Sequence, residues 1–517
     1  MAKNIVLDAL IPREDFEVAD DTSGTTRNVG TIGVRDLEYE SFFFSALRKP
    51  DFQRETNEWD AKRIVSLIES FISGDLIPAV ILWRSAASYT FVIDGAHRLS
   101  ALSAWINNDF GDGEISKLFY DGVIPEEQII ASENTRSAVR KQLGLYSDYK
   151  LALRSPDKVE AHIAENAKSL GALAIQVQWV EGDAKKAESS FFKINQQAAS
   201  IDKTELKLLK SRRKPAGIAT RAILRSGKGH KYWSSYEDKI QKDIQRLAGE
   251  INVIIFQPYL KNPIKTLDLP VGGKNFSSQG QSLILELVNK TNNIDKKGEE
   301  DDDLDGSKTI RYLNKCLKVV RRLNSVHPSS LGLHPAIYFY SKDGRHKPAS
   351  FWAAIDFIQE LEKTNKFDWF TEVRAPFEQF LQSYDYIIQQ IVRRYRGATA
   401  GYPHITKLYL IAGELLRDKF SVDQLPKQIK ANVNFSYITL NDEGGEEITS
   451  KDFSSEKKSE VFIREAIESA VKCSVCGGLL HRNSITIDHI ERKQDGGLGT
   501  PDNGQLAHPY CNSTYKN

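Results

Sequence analysis

Cys473-Ser-Val-Cys476, Ile487-Asp488-His489-Ile490, Asn503 and His508-Pro-Tyr-Cys511-Asn512 follow one another within the last forty-five residues of the chain. The two outer pairs, Cys-x2-Cys and His-x2-Cys, have the spacing of a closed tetrahedral zinc site. Such a site supplies roughly 10–16 kcal/mol of apparent binding energy, enough to hold a segment that has little core of its own. Between the pairs, Asp488 offers a hard-cation ligand beside His489, an imidazole able to take a proton from water. Asn512 can complete that cation site from the facing element, and Gly496-Gly497 turns the chain between them. A binding knuckle without catalysis needs only Cys473, Cys476, His508 and Cys511. The Asp-His dipeptide and Asn512 exceed that need, and together they indicate phosphodiester hydrolysis.

The rest of the chain sets bounds. Its 517 residues suggest two to four domains. With 40% hydrophobic and 27% charged residues, and no apolar run of eighteen, it reads as globular, with no membrane span. The first residues lack the apolar core and cleavage site of a secretion signal, so a cytoplasmic location is expected. Four cysteines, three of them in the terminal segment, exclude a disulfide framework; Cys316 reads as a buried free thiol. At a net charge of +1, nucleic-acid contact must come from local patches. Arg212-Arg213-Lys214, Arg321-Arg322 and Arg393-Arg394-Tyr-Arg396 qualify, although each also reads as a solvated helix end.

Ala61, Ile64, Val65, Ile68, Phe71 and Ile72 share one helical face, which Gly74 terminates. Strands are expected at 79–83 and 89–93, then the loop Asp94-Gly-Ala-His97-Arg98, then a helix carrying Leu99, Leu102 and Ile106. A further strand is expected at 174–180, and helices dominate 215–430. The acidic stretch 299–305 reads as a mobile loop and 435–449 as a hairpin. A helix at 457–471 leads into the first cysteine pair. His481 reads as a surface residue, and Leu333-His334-Pro335 with Tyr338 and Tyr340 either as part of a DNA-contact or docking surface or, more plainly, as a buried packing segment. Val271-Gly272-Gly273-Lys274 lacks the spacing of a phosphate-binding P-loop. The fold class is α+β multidomain: an α+β front over 1–213, a mainly helical middle over 214–450, and a linker helix with a zinc-stapled module over 451–517.

The loop at 94–98 stands at a strand-to-helix junction, where free helix N–H groups and Gly95 favour an anion. Arg98 can hold a phosphate, Asp94 a cation or water, and His97 can transfer a proton.

The terminal segment resembles an HNH nuclease, the ββα-metal fold. That resemblance implies His489 as general base and Asp488 and Asn512 as Mg2+ or Mn2+ ligands. It implies Asn503 as the brace of the loop carrying the base, and Cys473, Cys476, His508 and Cys511 as structural zinc ligands. His508 departs from the more usual Cys, and only about two turns of helix fit before Asn517. Arg492 and Lys493 fit either a scissile-phosphate contact or a solvated turn.

Residues 35–215 resemble the ParB/sulfiredoxin-like domains whose loop reads DGQQR or DGQHR. Pro50-Asp-Phe-Gln53-Arg54 and Phe192-Lys-Ile-Asn195 with Ile201 and Glu205-Leu206 match further elements, while Ala96 stands where Gln is usual. The resemblance implies a domain that binds and often hydrolyses a nucleoside triphosphate, with Asp94, His97, Arg98, Gln53 and Arg54 as candidate residues. A structural hydrogen-bond pair is the plainer role for Gln53 and Arg54. The combination resembles prokaryotic anti-phage nucleases, including modification-dependent restriction enzymes and nucleases that respond to phosphorothioate DNA. It implies a metal-dependent DNA endonuclease gated by nucleotide, acting on phage or modified DNA, with a second copy or a defence-system protein as partner. The alternative is a DNA-binding, nucleotide-hydrolysing regulator whose HNH module only docks.

Overall fold

The computed structural model describes residues 5–14, 28–50, 53, 59–85, 88–120, 122, 124, 126–198, 203–228, 233–275, 278–294, 300–440 and 452–516. The chain divides into two compact units, Met1–Arg212 with Lys228–Tyr232, and Arg213–Gly227 with Trp233–Asn517.

In the first unit six strands form a mixed sheet: β1 (Arg13–Glu14), β2 (Thr31–Gly33), β3 (Leu47–Pro50), β4 (Val80–Arg84), β5 (Thr90–Asp94) and β6 (Ala174–Val180), in the order β1-β3-β5-β4-β6-β2. Strands β1, β3 and β5 are parallel, so their carboxyl ends share one edge of the sheet. Strand β4 runs antiparallel to β5, β6 is parallel to β4, and β2 closes the far side antiparallel to β6. The two-residue period of a strand gives this sheet two apolar faces. Val80, Leu82 and Val92 enter one core with Ile64, Ile68, Leu99, Leu102 and Trp105. Trp83, Phe91 and Ile93 pack on the other side against Ala187 and Phe191, from the helix Ala184–Ala198. Each such side chain contributes roughly 1.5–3 kcal/mol by leaving water. The helix Ala61–Ile72 buries the face expected of it, and the Asp60 side chain caps it by accepting the Arg63 N–H.

The second unit is largely helical. Its long helices include Asp238–Phe256, Ser307–Leu323, Pro348–Thr364, Phe367–Ser383 and Ala398–Arg417. Phe357, Phe370, Phe377 and Tyr409 form an aromatic knot at their centre, with ring centroids 5.2–6.0 Å apart. Cys316 is fully buried beside Thr291, and burial pushes its thiol up to about 12. The segment 331–340 is buried throughout, as its sequence suggests. The helix Ser455–Glu468 precedes a two-stranded ribbon, β7 (Thr486–His489) and β8 (Gly504–Ala507). Among the described residues no helix is long and apolar enough to cross a membrane.

Three local expectations are overturned. The acidic stretch is not simply a mobile loop: Asp303 is buried, and its carboxylate accepts the Thr309 N–H and hydroxyl, both at 2.7 Å. Residues 436–440 form no strand; they follow a 3-10 turn, Val433–Phe435, and 441–451 lie outside the described residues. Arg321 and Arg322 are no open basic patch, because Glu250 and Glu362 pair with them at 2.7 and 3.0 Å.

Candidate active site and metal centre

A tight knuckle presents the first two cysteines. Cys473 donates its N–H to the Gly478 carbonyl, and Gly477 returns one to the Cys473 carbonyl. Ser474 N–H bonds the Leu506 carbonyl, which fixes the knuckle against β8. His508 follows β8 directly, and residues 509–515 are helical, about the two turns expected, with Cys511–Tyr515 wound as a π-turn. Cys473, Cys476, His508 and Cys511 are all buried, and their ligand atoms lie within 4.8 Å of one another. A tetrahedral zinc site with Zn–S bonds near 2.3 Å would need sulfur atoms about 3.8 Å apart, so the cluster has the right size.

The surroundings of the cluster also suit a cation. His508 Nε2 lies 3.1 Å from the Leu479 carbonyl, and this orients Nδ1 toward Cys476 Sγ at 3.4 Å. Such a second partner fixes the tautomer of a metal-binding histidine. Burial, then the nearby Arg374 charge, lowers the His508 pKa and favours the neutral ligand form. Hydrogen bonds from Cys476 and Cys511 favour the Cys473 thiolate, while bonds with Cys473 and Cys476, then burial, push the Cys511 thiol up. Thiols so crowded in a dry site suit a divalent ion, which binds them as they lose their protons.

The helical body reaches into this centre. Arg374 and Glu378, on Phe367–Ser383, are buried, and Glu378 Oε2 accepts the Leu479 N–H at 2.8 Å. Arg374 donates to the carbonyls of Leu331 and Gly332 and approaches His508 Nδ1 at 3.5 Å. Gly332 has φ +61°, and a Cβ there would meet His508 Cδ2 at 2.4 Å. Tyr510 N–H bonds the Ser330 carbonyl, and Ser513 Oγ bonds the Pro328 carbonyl. His481, expected at the surface, is instead buried with Nδ1 against Asn324 Oδ1 at 3.0 Å. Nothing local in the sequence marks it as covered by the loop at 324–334.

A hollow of about 350 Å3 opens at the end of β7, lined by Ile487, Asp488, His489, Arg492, Lys493, Gln494 and Asn512. Asp488 is 5% exposed and His489 only half-buried. Asp488 Oδ2 accepts Gln505 Nε2 at 2.7 Å from the opposite strand and Lys516 Nζ at 2.8 Å. Asn512 donates its amide to the Ile487 carbonyl at 3.1 Å, which ties the π-turn to β7. Asn503 accepts the Glu491 N–H at 2.7 Å and donates to the Glu491 and Leu498 carbonyls, so it spans the loop after His489. A second, more apolar hollow of about 390 Å3 shares Ile487 and His489 and extends along β8.

In the first unit Asp94 ends β5, and Gly95 (φ +97°) turns the chain into the helix Ala96–Ile106. A left-handed residue at this junction favours glycine. Arg98 pairs with Asp94 at 2.8 Å and donates to the Ala79 carbonyl at 3.2 Å. His97 stacks on Trp59 with ring centroids 5.8 Å apart. Gln53 follows β3 on the edge where β5 ends; its carbonyl accepts Arg13, which joins buried Lys49 on buried Asp8. Sequence reading missed Asp8, Arg13 and Lys49, because nothing in their spacing marks a cluster. Gln53 Oε1 is buried with no hydrogen-bond partner among the described residues. Arg54 and Ile201 lie outside the described residues, as do the side chains of Asn195 and Glu205.

Residues 37–214 match the GmrSD restriction endonuclease N-terminal domain, and residues 473–517 match the HNH endonuclease family. No curated protein and no solved structure matches the chain. The HNH match falls on the cysteine–histidine cluster and on the hollow at the end of β7. The pairing of the two matches supports a DNA nuclease of restriction or defence, and the chain is an endonuclease, a phosphodiester hydrolase with a Cys3His cluster that could hold a metal.

Proposed function

We propose that the chain is a metal-dependent DNA endonuclease in which His489 is the general base and Asp488 and Asn512 hold Mg2+ or Mn2+. Asn503 braces the loop after His489. Zn2+ on Cys473, Cys476, His508 and Cys511 keeps the module folded. The convergence of Asp488, His489, Asn512 and Arg492 on one hollow supports this reading most directly. His489 takes the proton of a water that attacks phosphorus, while Arg492 and Lys493 hold non-bridging oxygens. A divalent ion bound there supplies charge neutralisation at the phosphate and the leaving oxygen.

We further propose that residues 1–213 are a DGQQR-type nucleotide domain that gates a cutting module over 451–517, with the helical middle, 214–450, between them. Asp94, His97, Arg98, Gln53 and Arg54 are its candidate nucleotide residues. Support comes from the anion-friendly Gly95 turn, from Arg98, and from buried Gln53 Oε1, an acceptor suited to a ligand or water. Phage or modified DNA is the proposed target, in a prokaryotic cytoplasm, with a homodimer for double-strand cutting.

The test is incubation of purified full-length protein with supercoiled plasmid, with modified phage DNA and with its unmodified counterpart. Mg2+ or Mn2+ is present throughout, with and without each nucleoside triphosphate. Metal-dependent nicking that His489→Ala abolishes is expected. If nucleotide changes neither DNA binding nor cleavage at any concentration, the gate is withdrawn and an ungated nuclease remains.

A further inference from the structure

Lys516 engages three of the residues that line the hollow. Its ammonium donates to Asp488 Oδ2 at 2.8 Å and to the His489 carbonyl, and its own carbonyl accepts the Arg492 guanidinium. The π-turn brings it there: Lys516 N–H bonds the Cys511 carbonyl, five residues back, and Asn512 anchors the same turn to β7. Its side chain is 20% exposed, against 6% for Asp488. Oδ2 of this buried carboxylate thus takes both the Lys516 ammonium and the Gln505 amide from the protein itself.

We infer that Lys516 is an internal counter-cation that a divalent ion must displace from Asp488. This inference rests on the proposed reading of Asp488 as a cation ligand. A divalent ion on Asp488 would sit within a few ångströms of the ammonium, and like charges at that range repel strongly in a partly buried site. Lysine is a point charge on a flexible stem, and from its partly exposed position it can swing into water. Ion binding therefore includes the free-energy cost of breaking the Lys516–Asp488 pair, and ion affinity is set below what the bare carboxylate would give. A phosphodiester entering the hollow offers its oxygens to the Arg492 and Lys516 groups, so DNA and ion would release the lysine together.

The test is calorimetric titration of Mn2+ into the zinc-loaded full-length protein. Lys516→Met is expected to bind Mn2+ roughly tenfold more tightly than wild type, a change of about 1.4 kcal/mol. Lys516→Arg, which keeps the charge, should stay near wild type, and equal melting temperatures and zinc contents would show that all variants fold. Unchanged or weaker binding by Lys516→Met overturns the inference. Asp488→Asn separates the two readings: if it abolishes Mn2+ binding while Lys516→Met changes nothing, only the counter-cation role fails. If Asp488→Asn binds as wild type does, the assignment of Asp488 falls and the inference falls with it.

Discussion

Arg374 Nε and Glu378 Oε1 lie 2.8 Å apart, one helical turn from each other, with side chains only 2% and 4% exposed. This pair seats the cysteine knuckle in the helical body. The guanidinium holds the backbone at Leu331 and Gly332, and the carboxylate holds Leu479 N–H. Breaking a buried pair by removing one partner costs about 3–5 kcal/mol, because the other charge is left uncompensated. Glu378→Leu should lower the melting temperature of the second unit and speed zinc release to a chelator, followed with a colorimetric zinc indicator. Zinc release at the wild-type rate would separate the pair from the metal centre.

Gly332→Ala should disturb the cluster from outside it. The new methyl must fit a left-handed backbone position and would overlap His508 Cδ2 at 2.4 Å and Ser484 Oγ at 2.8 Å. Strain of that kind costs on the order of 1–3 kcal/mol. Less than one zinc per chain is expected by elemental analysis of the purified variant; full occupancy would show that the 331–332 loop can shift.

His489→Ala and Cys476→Ser should fail in different ways. Loss of the base should slow plasmid cleavage by about 10²–10⁴-fold with melting unchanged, since His489 is half-buried at a rim. Cys476 is buried in the cluster, so its loss should empty the metal site and unfold the module. Undiminished cleavage by His489→Ala removes it from the mechanism.

Stability should fall in mild acid. Burial pushes His346 and His481 from 6.5 down to about 4, so the folded protein keeps them neutral where the unfolded chain would charge them. Their contribution is fully present above pH 6.5 and is lost as pH falls toward 4, on the order of 3 kcal/mol for each site. Melting curves between pH 7.5 and 4 should show that decline, and His346→Asn should lose less over the same window. A flat profile in the wild type would contradict the assignment.

The two ends of the chain differ in how far they could be read from sequence. The gathering of Cys473, Cys476, His508 and Cys511 into one buried cluster was legible from their short fixed spacings, and the helical face from Ile64 to Ile72 because burial imposes a period. Asp94 at a strand end was legible from the apolar run before it. Strands β1, β2 and β3 were not, since two to four residues carry no period. Lys516, Gln505, Arg374 and Glu378 escaped notice because folding alone brings them to the site, from across a ribbon or from another helix. Arg321 and Arg322 looked like a basic patch for the same reason: their partners Glu250 and Glu362 are 71 and 40 residues away.

The seat formed by Ser330, Gly332 and Pro328 under His508, Tyr510 and Ser513 has a mechanical consequence. A nuclease on a loose tether cuts wherever its linker lets it reach. Here the ribbon and its cysteine knuckle are hydrogen-bonded to the helical body, so if that body binds DNA, the scissile bond is expected at a constant number of base pairs from the contact, a spacing that mapping of the cleaved ends would show.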